Sequence, residues 1–130
     1  MGSIFSKILS GEIPCNKVAE NDQFLAFLDV MPLREGHVLV IPKVEVDYIF
    51  DMEDALLADM MIFSKSVARQ LKQVFPCKKI GVTVIGLEVP HAHIHLVPMN
   101  SLSDMDFSKP KLKIEESRLT EIAKLISEVI

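Results

Sequence analysis

The chain has 130 residues, 49% of them hydrophobic and 25% charged, which is enough for one domain with a single apolar core over residues 1–130. Its net charge of −4 and pI near 5.5 argue against a nucleic-acid-binding surface, and the sequence has no apolar run of about 18 residues that would cross a membrane. Cys15 and Cys77 form no Cys-x-x-Cys pair, which favours a reduced, cytoplasmic protein.

The N-terminal third predicts a short helix followed by three antiparallel strands. Turn residues and prolines divide it into short apolar segments, a pattern typical of strands joined by tight connections. Gly11 ends the helix, the turn at 31–36 joins the second and third strands as a hairpin, and Pro42 ends the third. The predicted segments are a helix at 3–11 and strands at 17–20, 24–30 and 37–41.

A long amphipathic helix is predicted next. Apolar residues recur at intervals of three and four from Leu56 to Val74, the spacing of a helix that packs one face on a sheet. Asp51 is a plausible N-cap because its side chain can accept from the first free backbone N–H groups, and Pro76 ends the helix.

Two more strands and a second helix complete the chain. A β-branched strand at 79–85 is broken by Gly86, and a fifth strand contains three histidines. Residues 101–111 are polar and without periodicity, so we expect a flexible loop there. An apolar stripe over 119–129 then predicts a C-terminal helix. The fold class is therefore α+β, with an antiparallel sheet of about five strands, one long helix and a C-terminal helix, and with the helices on one face of the sheet.

Three of the four histidines stand at alternate positions, as His91, His93 and His95 in the run VPHAHIHLVP. In a strand, alternate side chains point to the same face, so the three imidazoles would share one face. A lone histidine is usually a satisfied core residue, but clusters of ionisable side chains gather at functional sites. We therefore predict that this strand carries the active site.

This run resembles the signature of the histidine triad (HIT) superfamily of nucleotidyl hydrolases and transferases, which is His-x-His-x-His followed by two apolar residues. The segments SIFSKILSGEIP and AFLDVMPLREGHVLVIPK resemble two further parts of the family, in the same order along the chain. Together the three segments cover residues 3 to about 98. The resemblance implies a single-domain HIT-like meander.

The resemblance also implies a mechanism. In the family the middle histidine attacks the α-phosphate of a nucleotide and forms a nucleotidyl-histidine that water hydrolyses, a role that falls on His93 here. His91 and His95 would contact the phosphate oxygens, and His37 resembles the family's fourth, supporting histidine. A near-neutral pKa leaves a histidine nitrogen nucleophilic at pH 7, so the reaction calls for no cofactor and no metal.

The same resemblance supplies a binding site for a purine nucleotide. An acidic residue at the position of Asp29 accepts hydrogen bonds from the ribose hydroxyls in the family. The purine is held by apolar residues, although Phe27 and Leu39 fit the core equally well. The matching positions are Ile4, Phe5, Ile8, Phe27, Val30 and Leu39.

The chain departs from the family in the turn before the triad. Many relatives place a Gln and a Ser or Thr there, where they contact the phosphate and the leaving group, but this chain has Leu87 and Glu88 after Gly86. Glu88 would be either a proton donor or a bystander. His95 is kept where transferase branches have Gln, which favours hydrolysis. We expect a purine nucleotide phosphoramidate or phosphoanhydride hydrolase whose leaving group is an amine, a second nucleotide or a phosphate.

Two other interpretations stay open. His37 and two triad histidines could bind zinc in a metal-dependent hydrolase, although His91 and His95 would be about 13 Å apart along an extended strand. Alternatively, the missing donors could leave a nucleotide-binding protein with a weakened site. In either case the expected partner is a small molecule rather than a nucleic acid or membrane. Because family members commonly pair, the resemblance also implies a homodimer.

Overall fold

The structure is a computed structural model that describes residues 3–129, and its centre is one antiparallel sheet of five strands. The strands are ordered β1-β2-β3-β5-β4, so β5 lies between β3 and β4. Short 3-10 turns at Ile49–Asp51 and Leu102–Met105 lie in the connections. The other elements are α1 (Ile4–Ser10), β1 (Lys17–Glu20), β2 (Phe24–Leu28), β3 (Val38–Pro42), α2 (Asp54–Val74), β4 (Lys79–Thr83), β5 (Ile94–Met99) and α3 (Glu116–Ser127).

Local sequence signals set the limits of α1. The hydroxyl of Ser3 accepts a hydrogen bond from the backbone N–H of Ser6 at 3.2 Å and so caps the first turn. Gly11 follows the last turn with a φ of 88°, a left-handed conformation that glycine adopts without steric cost. The predicted short helix is therefore confirmed.

The hairpin of β2 and β3 forms the buried middle of the sheet. Leu25 pairs with Ile41 and Phe27 with Leu39, and these four side chains share one face. The alternate residues of both strands, such as Phe24 and Val40, lie on the other face. Every residue of the two strands is buried, so the hairpin contributes to two apolar clusters at once.

The larger cluster lies between the sheet and the two long helices. Helix α2 contributes Met60, Val67 and Leu71, and α3 contributes Ile122 and Ile126, all with essentially no exposed surface. These residues follow the predicted stripes, so α2 and α3 pack on one face of the sheet as expected. The short α1 lies against the opposite face, where the ring of Phe5 closes the smaller cluster.

The predicted N-cap of α2 is wrong. Asp51 is the last residue of a 3-10 turn, and Glu53 occupies the N-cap position without a side-chain hydrogen bond to the helix. Asp51 lies two residues before the observed N-cap position, because it belongs to the 3-10 turn, and the side chain of Met52 between them is buried. The predicted end holds, because α2 stops at Val74 before Pro76.

The segment 101–111, expected to be flexible, contains local structure. Ser101 and Asp104 form a reciprocal capping box around the 3-10 turn at Leu102–Met105. Further along, the carboxylate of Asp106 accepts hydrogen bonds from the backbone N–H and the hydroxyl of Ser108.

None of the helices within residues 3–129 has the length and hydropathy needed to span a bilayer.

Gly36 is the last residue of the turn before His37 and β3. Replacing Gly36 by Ala should destabilise the protein. Its φ is 90°, and an added Cβ would lie 2.8 Å from the Phe75 ring and 3.0 Å from Pro98. Gly11 has a similar φ of 88° with no atom within 4 Å of an added Cβ, so Gly11→Ala is a matched control.

We expect Gly11→Ala to lower the free energy of unfolding by about 1–2 kcal/mol, the cost of a left-handed side chain. Gly36→Ala should cost about 1–3 kcal/mol more, because the new methyl group overpacks the turn. Urea denaturation of both variants measures the difference, and equal losses would contradict a steric role for Gly36.

Candidate active site

The three triad histidines do not all lie in one strand. Strand β5 begins at Ile94, so only His95 belongs to it, with Leu39 of β3 and Thr83 of β4 as its neighbours. The expectation of a strand through 91–93 is wrong because the N–H of Ala92 donates to the carbonyl of Val46, in the connection after β3. His93 and His95 nevertheless lie side by side, with ring centroids 4.8 Å apart.

Hydrogen bonding fixes which nitrogen of His93 carries the proton. Nδ1 lies 2.8 Å from the carbonyl oxygen of His91, and since a carbonyl can only accept, Nδ1 must donate. The lone pair of a neutral His93 is therefore on Nε2. Burial lowers the pKa of His93, so the neutral ring is the stable form near pH 7. The arrangement supplies an unprotonated imidazole nitrogen, which is what a nucleophile requires.

His37 and His95 are joined by a chain of hydrogen bonds. The backbone N–H of Leu33 donates to Nδ1 of His37 at 3.0 Å, so the proton of a neutral His37 must be on Nε2. That proton is donated to Nδ1 of His95 at 2.9 Å. Consequently the proton of His95 is on Nε2, where it can be donated to a phosphate oxygen.

Burial keeps both of these rings neutral. Desolvation, reinforced by the neighbouring His95 and Lys111, lowers the pKa of His37 to about 3. Desolvation, reinforced by His93 and Lys111, lowers the pKa of His95 to about 4. A neutral ring donates and accepts one hydrogen bond each, which is the pattern that this chain of bonds needs.

His91 lies deeper than the other triad residues and has no exposed surface. Its Nε2 donates to the carbonyl of Pro42 at 2.9 Å, and its Nδ1 lies 3.4 Å from the hydroxyl of Ser3. Both ring nitrogens therefore face protein groups rather than solvent. The contribution of His91 that the geometry shows is its backbone carbonyl, which orients His93.

Asp29 directly follows β2 and stands beside His37. One carboxylate oxygen accepts the N–H of Met31 at 2.9 Å, and the other lies 3.7 Å from Nε2 of His37. Burial raises the pKa of Asp29, although the Met31 N–H and the charge of Lys111 oppose the shift. The Asp29 side chain as a whole is 21% exposed, and a ribose contact would require such access.

The apolar residues predicted to hold a purine divide into two groups. Phe5, Phe27 and Leu39 are buried together in the smaller cluster, and the Phe5 ring lies 5.0 Å from that of His93. Ile8 is half-buried at the edge of this cluster, whereas Ile4 and Val30 are 50% and 57% exposed. Contact of these residues with a base stays a prediction.

The turn before the triad presents no amide or hydroxyl side chain. Gly86 adopts a φ of 70°, Leu87 is 87% exposed, and Glu88 is exposed. The negative charge of Glu88 acts to raise the pKa of both His93 and Asp29. A direct role of Gly86 or Glu88 in substrate binding stays a prediction.

Sequence reasoning missed two residues of the segment 101–111. The ring of Phe107 lies 4.9 Å from that of His95 and 6.0 Å from that of His37, edge-on to both. The ammonium group of Lys111 lies over the Phe107 ring, 5.7 Å from its centre, and its charge acts on His37, His95 and Asp29. One signal was available, since Phe107 is the only aromatic residue after Phe75 and stands in a polar segment.

A possible metal-ligand group differs from the one predicted. Asp29, His37 and His95 have ligand atoms within 4.8 Å of one another, so one triad histidine is included instead of two. The facing nitrogens of His37 and His95 already share a proton, and Nδ1 of His37 is engaged by Leu33. A metal ion would have to replace that proton and separate the rings, so the group fits a metal poorly.

The sheet, the four clustered histidines and their order along the chain are those of one known family. A family model described as the HIT domain matches residues 10–102, most of the chain. The chain therefore belongs to the histidine triad family.

Relatives match over nearly the whole length. An uncharacterized HIT-like protein of Borreliella burgdorferi is 33% identical over 132 aligned residues, covering 95% of each chain. The adenosine 5'-monophosphoramidase of Schizosaccharomyces pombe is 31% identical over 132 aligned residues, covering 100% of this chain and 99% of that protein. Among solved structures, a Hit-like protein of Bartonella henselae superimposes with a TM-score of 0.84 at 29% identity, covering 96% and 93% of the two chains.

The buried neutral histidines should make the protein sensitive to acid. An unfolded histidine binds a proton at about pH 6.5, whereas folded His37 and His95 do so only at about 3 and about 4. Between these values the unfolded chain binds more protons, so the free energy of unfolding falls as the pH is lowered, by about 1.4 kcal/mol per unit for each group.

Urea denaturation between about pH 7 and 4.5 measures this slope, and histidine NMR titration should show both rings neutral at about pH 5. The variant His95→Gln removes one of the two groups and should flatten the slope. A wild-type slope in that variant would contradict the assignment to His95.

Proposed function

We propose that the protein hydrolyses a phosphorus–nitrogen or phosphorus–oxygen bond of a purine nucleotide and releases a nucleoside monophosphate through a covalent nucleotidyl-His93 intermediate. The observation that carries this proposal is the hydrogen bond from Nδ1 of His93 to the carbonyl of His91, which leaves the Nε2 lone pair free. Two relatives, from Schizosaccharomyces pombe and Saccharomyces cerevisiae, are adenosine 5'-monophosphoramidases and support the same class of activity.

In the proposed reaction, Nε2 of His93 attacks the α-phosphorus, and the bond from phosphorus to the leaving nitrogen or oxygen breaks with both electrons going to the leaving atom. That atom takes a proton from solvent water and departs. The Nε2–H of His95 donates to a phosphate oxygen, a contact fixed by the bonds through His37 and Leu33. Water then attacks phosphorus and gives up a proton to solvent, and the Nε2–P bond breaks with its electrons returning to Nε2, which releases the nucleoside monophosphate and restores neutral His93 with its proton on Nδ1.

The nucleoside would bind beside this centre. The carboxylate of Asp29, whose side chain is 21% exposed, is available to accept from the ribose hydroxyls, and Ile4 and Val30 offer exposed apolar surface near the N-terminal helix and the end of β2. A phosphoramidate is favoured as substrate because both named relatives act on one, with a dinucleoside polyphosphate as the second candidate.

Two alternatives keep some support. The closeness of Asp29, His37 and His95 favours a metal-dependent hydrolase. The hydrogen bond between His37 and His95 argues against it, because a metal ion would have to displace the shared proton. Leu87 and Glu88 favour a nucleotide-binding protein with slow turnover, because removing one well-placed donor typically lowers kcat by about 10²- to 10³-fold.

Replacing His93 by Gly should lower kcat on adenosine phosphoramidate by several orders of magnitude while AMP binding stays near the wild-type value, because only the covalent step is lost. Added imidazole should restore part of the activity by filling the vacated position. Release of AMP measured by chromatography follows both effects, and a variant that retains wild-type turnover would remove the mechanism.

The intermediate itself offers a second measurement on the same reaction. When the reaction of the wild-type enzyme is quenched, an acid-sensitive nucleotidyl adduct should be found on the peptide that contains His93. Turnover should also survive a chelator. Activity lost with EDTA and restored by zinc would favour the metal-dependent alternative.

We also propose a homodimer, supported by an exposed apolar edge. Strand β4 is the last strand of the sheet, and Val82 on it and Ile85 just after it are 49% and 44% exposed. On the neighbouring helix α2, Ile62 is 65% exposed. A second copy that covered this edge would satisfy the open backbone groups of β4.

Light scattering at micromolar concentration should therefore report about twice the chain mass of 14.6 kDa. Val82→Lys places a charge on the edge strand and should shift the population toward monomer. A wild-type protein that stays at 14.6 kDa would retire the dimer.

A reduced, cytoplasmic environment is proposed on the state of the two cysteines. Cys15 and Cys77 are both free thiols. Burial raises the pKa of Cys15, so its thiol stays protonated and reacts slowly with disulfides. Free thiols of this kind persist where the surroundings are reducing.

A further inference from the structure

The segment from Asp106 to Lys111, here called the Phe107 loop, forms one wall of the histidine site. The edge of the Phe107 ring faces both His95 and His37, and centroid distances of 4.9 and 6.0 Å are those of packed aromatic pairs. Just beyond the loop, the N–H of Leu112 donates to the carbonyl of Pro32 at 2.8 Å, in the turn that precedes His37. The loop is therefore attached to the site at both of its ends.

Lys111 is held by this loop through backbone contacts. Its ammonium group donates to the carbonyl of Phe107 at 2.7 Å and to that of Lys109 at 3.4 Å, and it lies 5.7 Å from the centre of the Phe107 ring. Within residues 3–129 no carboxylate is paired with it. The side chain is half-buried, so a positive charge that forms no salt bridge is fixed next to the Phe107 ring, and Asp29 and Asp106 are the carboxylates on which it acts.

The site needs such a charge. His37 and His95 are neutral at pH 7, and so is His93, so these rings supply directed hydrogen bonds but no net positive charge to a phosphate. The turn at Leu87 and Glu88 adds a negative charge on the side of His93. The charge of Lys111 acts on Asp29, His37 and His95, and its ammonium group is connected to His95 through the Phe107 ring, which lies 5.7 Å from the ammonium group and 4.9 Å from the His95 ring.

We propose that Lys111, positioned by the packing of Phe107 on His95, is a phosphate-binding residue of this site and supplies the electrostatic contact that Leu87 and Glu88 cannot. The inference rests on the proposed nucleotide hydrolase function, since it assumes that the phosphate binds at His93 and His95. Lys111 is thereby a specificity residue for the anionic group of the nucleotide, whereas the nucleoside is recognised elsewhere.

Binding of AMP and adenosine tests this directly, because the two ligands differ only by the phosphate. Lys111→Met removes the charge and keeps an apolar stem that can still pack on Phe107. We expect AMP affinity to fall about 10- to 100-fold, the effect of losing a charged hydrogen bond, with adenosine affinity unchanged. Lys111→Arg should keep most of the affinity for AMP.

Lys113→Met is the matched control, because it removes the same charge from an exposed position two residues further along and should change neither affinity. The wild-type affinity for AMP should also weaken with added salt more steeply than that of Lys111→Met. Isothermal titration calorimetry at two salt concentrations gives all of these values without relying on turnover.

The possible results distinguish the role of Lys111 from the proposed hydrolase function. Unchanged AMP affinity in Lys111→Met overturns the role of Lys111 and leaves the proposed function intact. Equal losses for AMP and adenosine overturn it as well, since the lysine would then act on the structure of the loop. A wild-type protein that binds neither ligand removes the proposed function, and the role of Lys111 with it.

Discussion

The antiparallel pairing of β3 with β5 is the contact on which the site depends. It places Leu39 opposite His95 and so brings the residue before β3, His37, against the ring of His95. The two strands are separated by α2 and β4 in the chain, and the sheet order requires β5 to enter between β3 and β4. The apolar face of α2 packs on these two strands in the larger cluster. The same packing that forms the core therefore holds β3 and β5, and with them His37 and His95, in place.

A second constraint is that each imidazole is buried in a defined tautomer. A protein carbonyl fixes the proton of His93 and another fixes that of His91, while a backbone N–H from Leu33 sets the direction of the chain through His37 and His95. Because a buried polar group without a partner costs free energy, these bonds select one arrangement of protons among several. The fold thus prepares a nucleophile on one ring and a donor on the next before any substrate arrives.

Patterns of local origin could be predicted from the sequence, and contacts of tertiary origin could not. The end of α1 at Gly11, the β2–β3 hairpin and the stripe of α2 follow from turn chemistry and periodicity within short windows. The start of β5 depends on a bond from Ala92 to Val46, far away in sequence, and no alternation of side chains reveals it. The contact of Phe107 with the histidines is likewise tertiary, so the polar composition of 101–111 does not reveal it.

The neutral histidines meet one requirement of the site, a free lone pair on His93, but not another, a positive charge for an anionic substrate. Burial keeps the lone pair of His93 available, but the same burial withholds positive charge from a site whose substrate is an anion, in a chain whose net charge is −4. Protonating His95 would supply charge, but its Nδ1 would then lose the hydrogen bond from His37. A lysine held outside the ring cluster avoids this conflict, because its charge does not depend on the proton of any histidine. The position of Lys111 meets that requirement, since its ammonium group lies 5.7 Å from the centre of the Phe107 ring, that ring packs on His95, and the charge acts on His95.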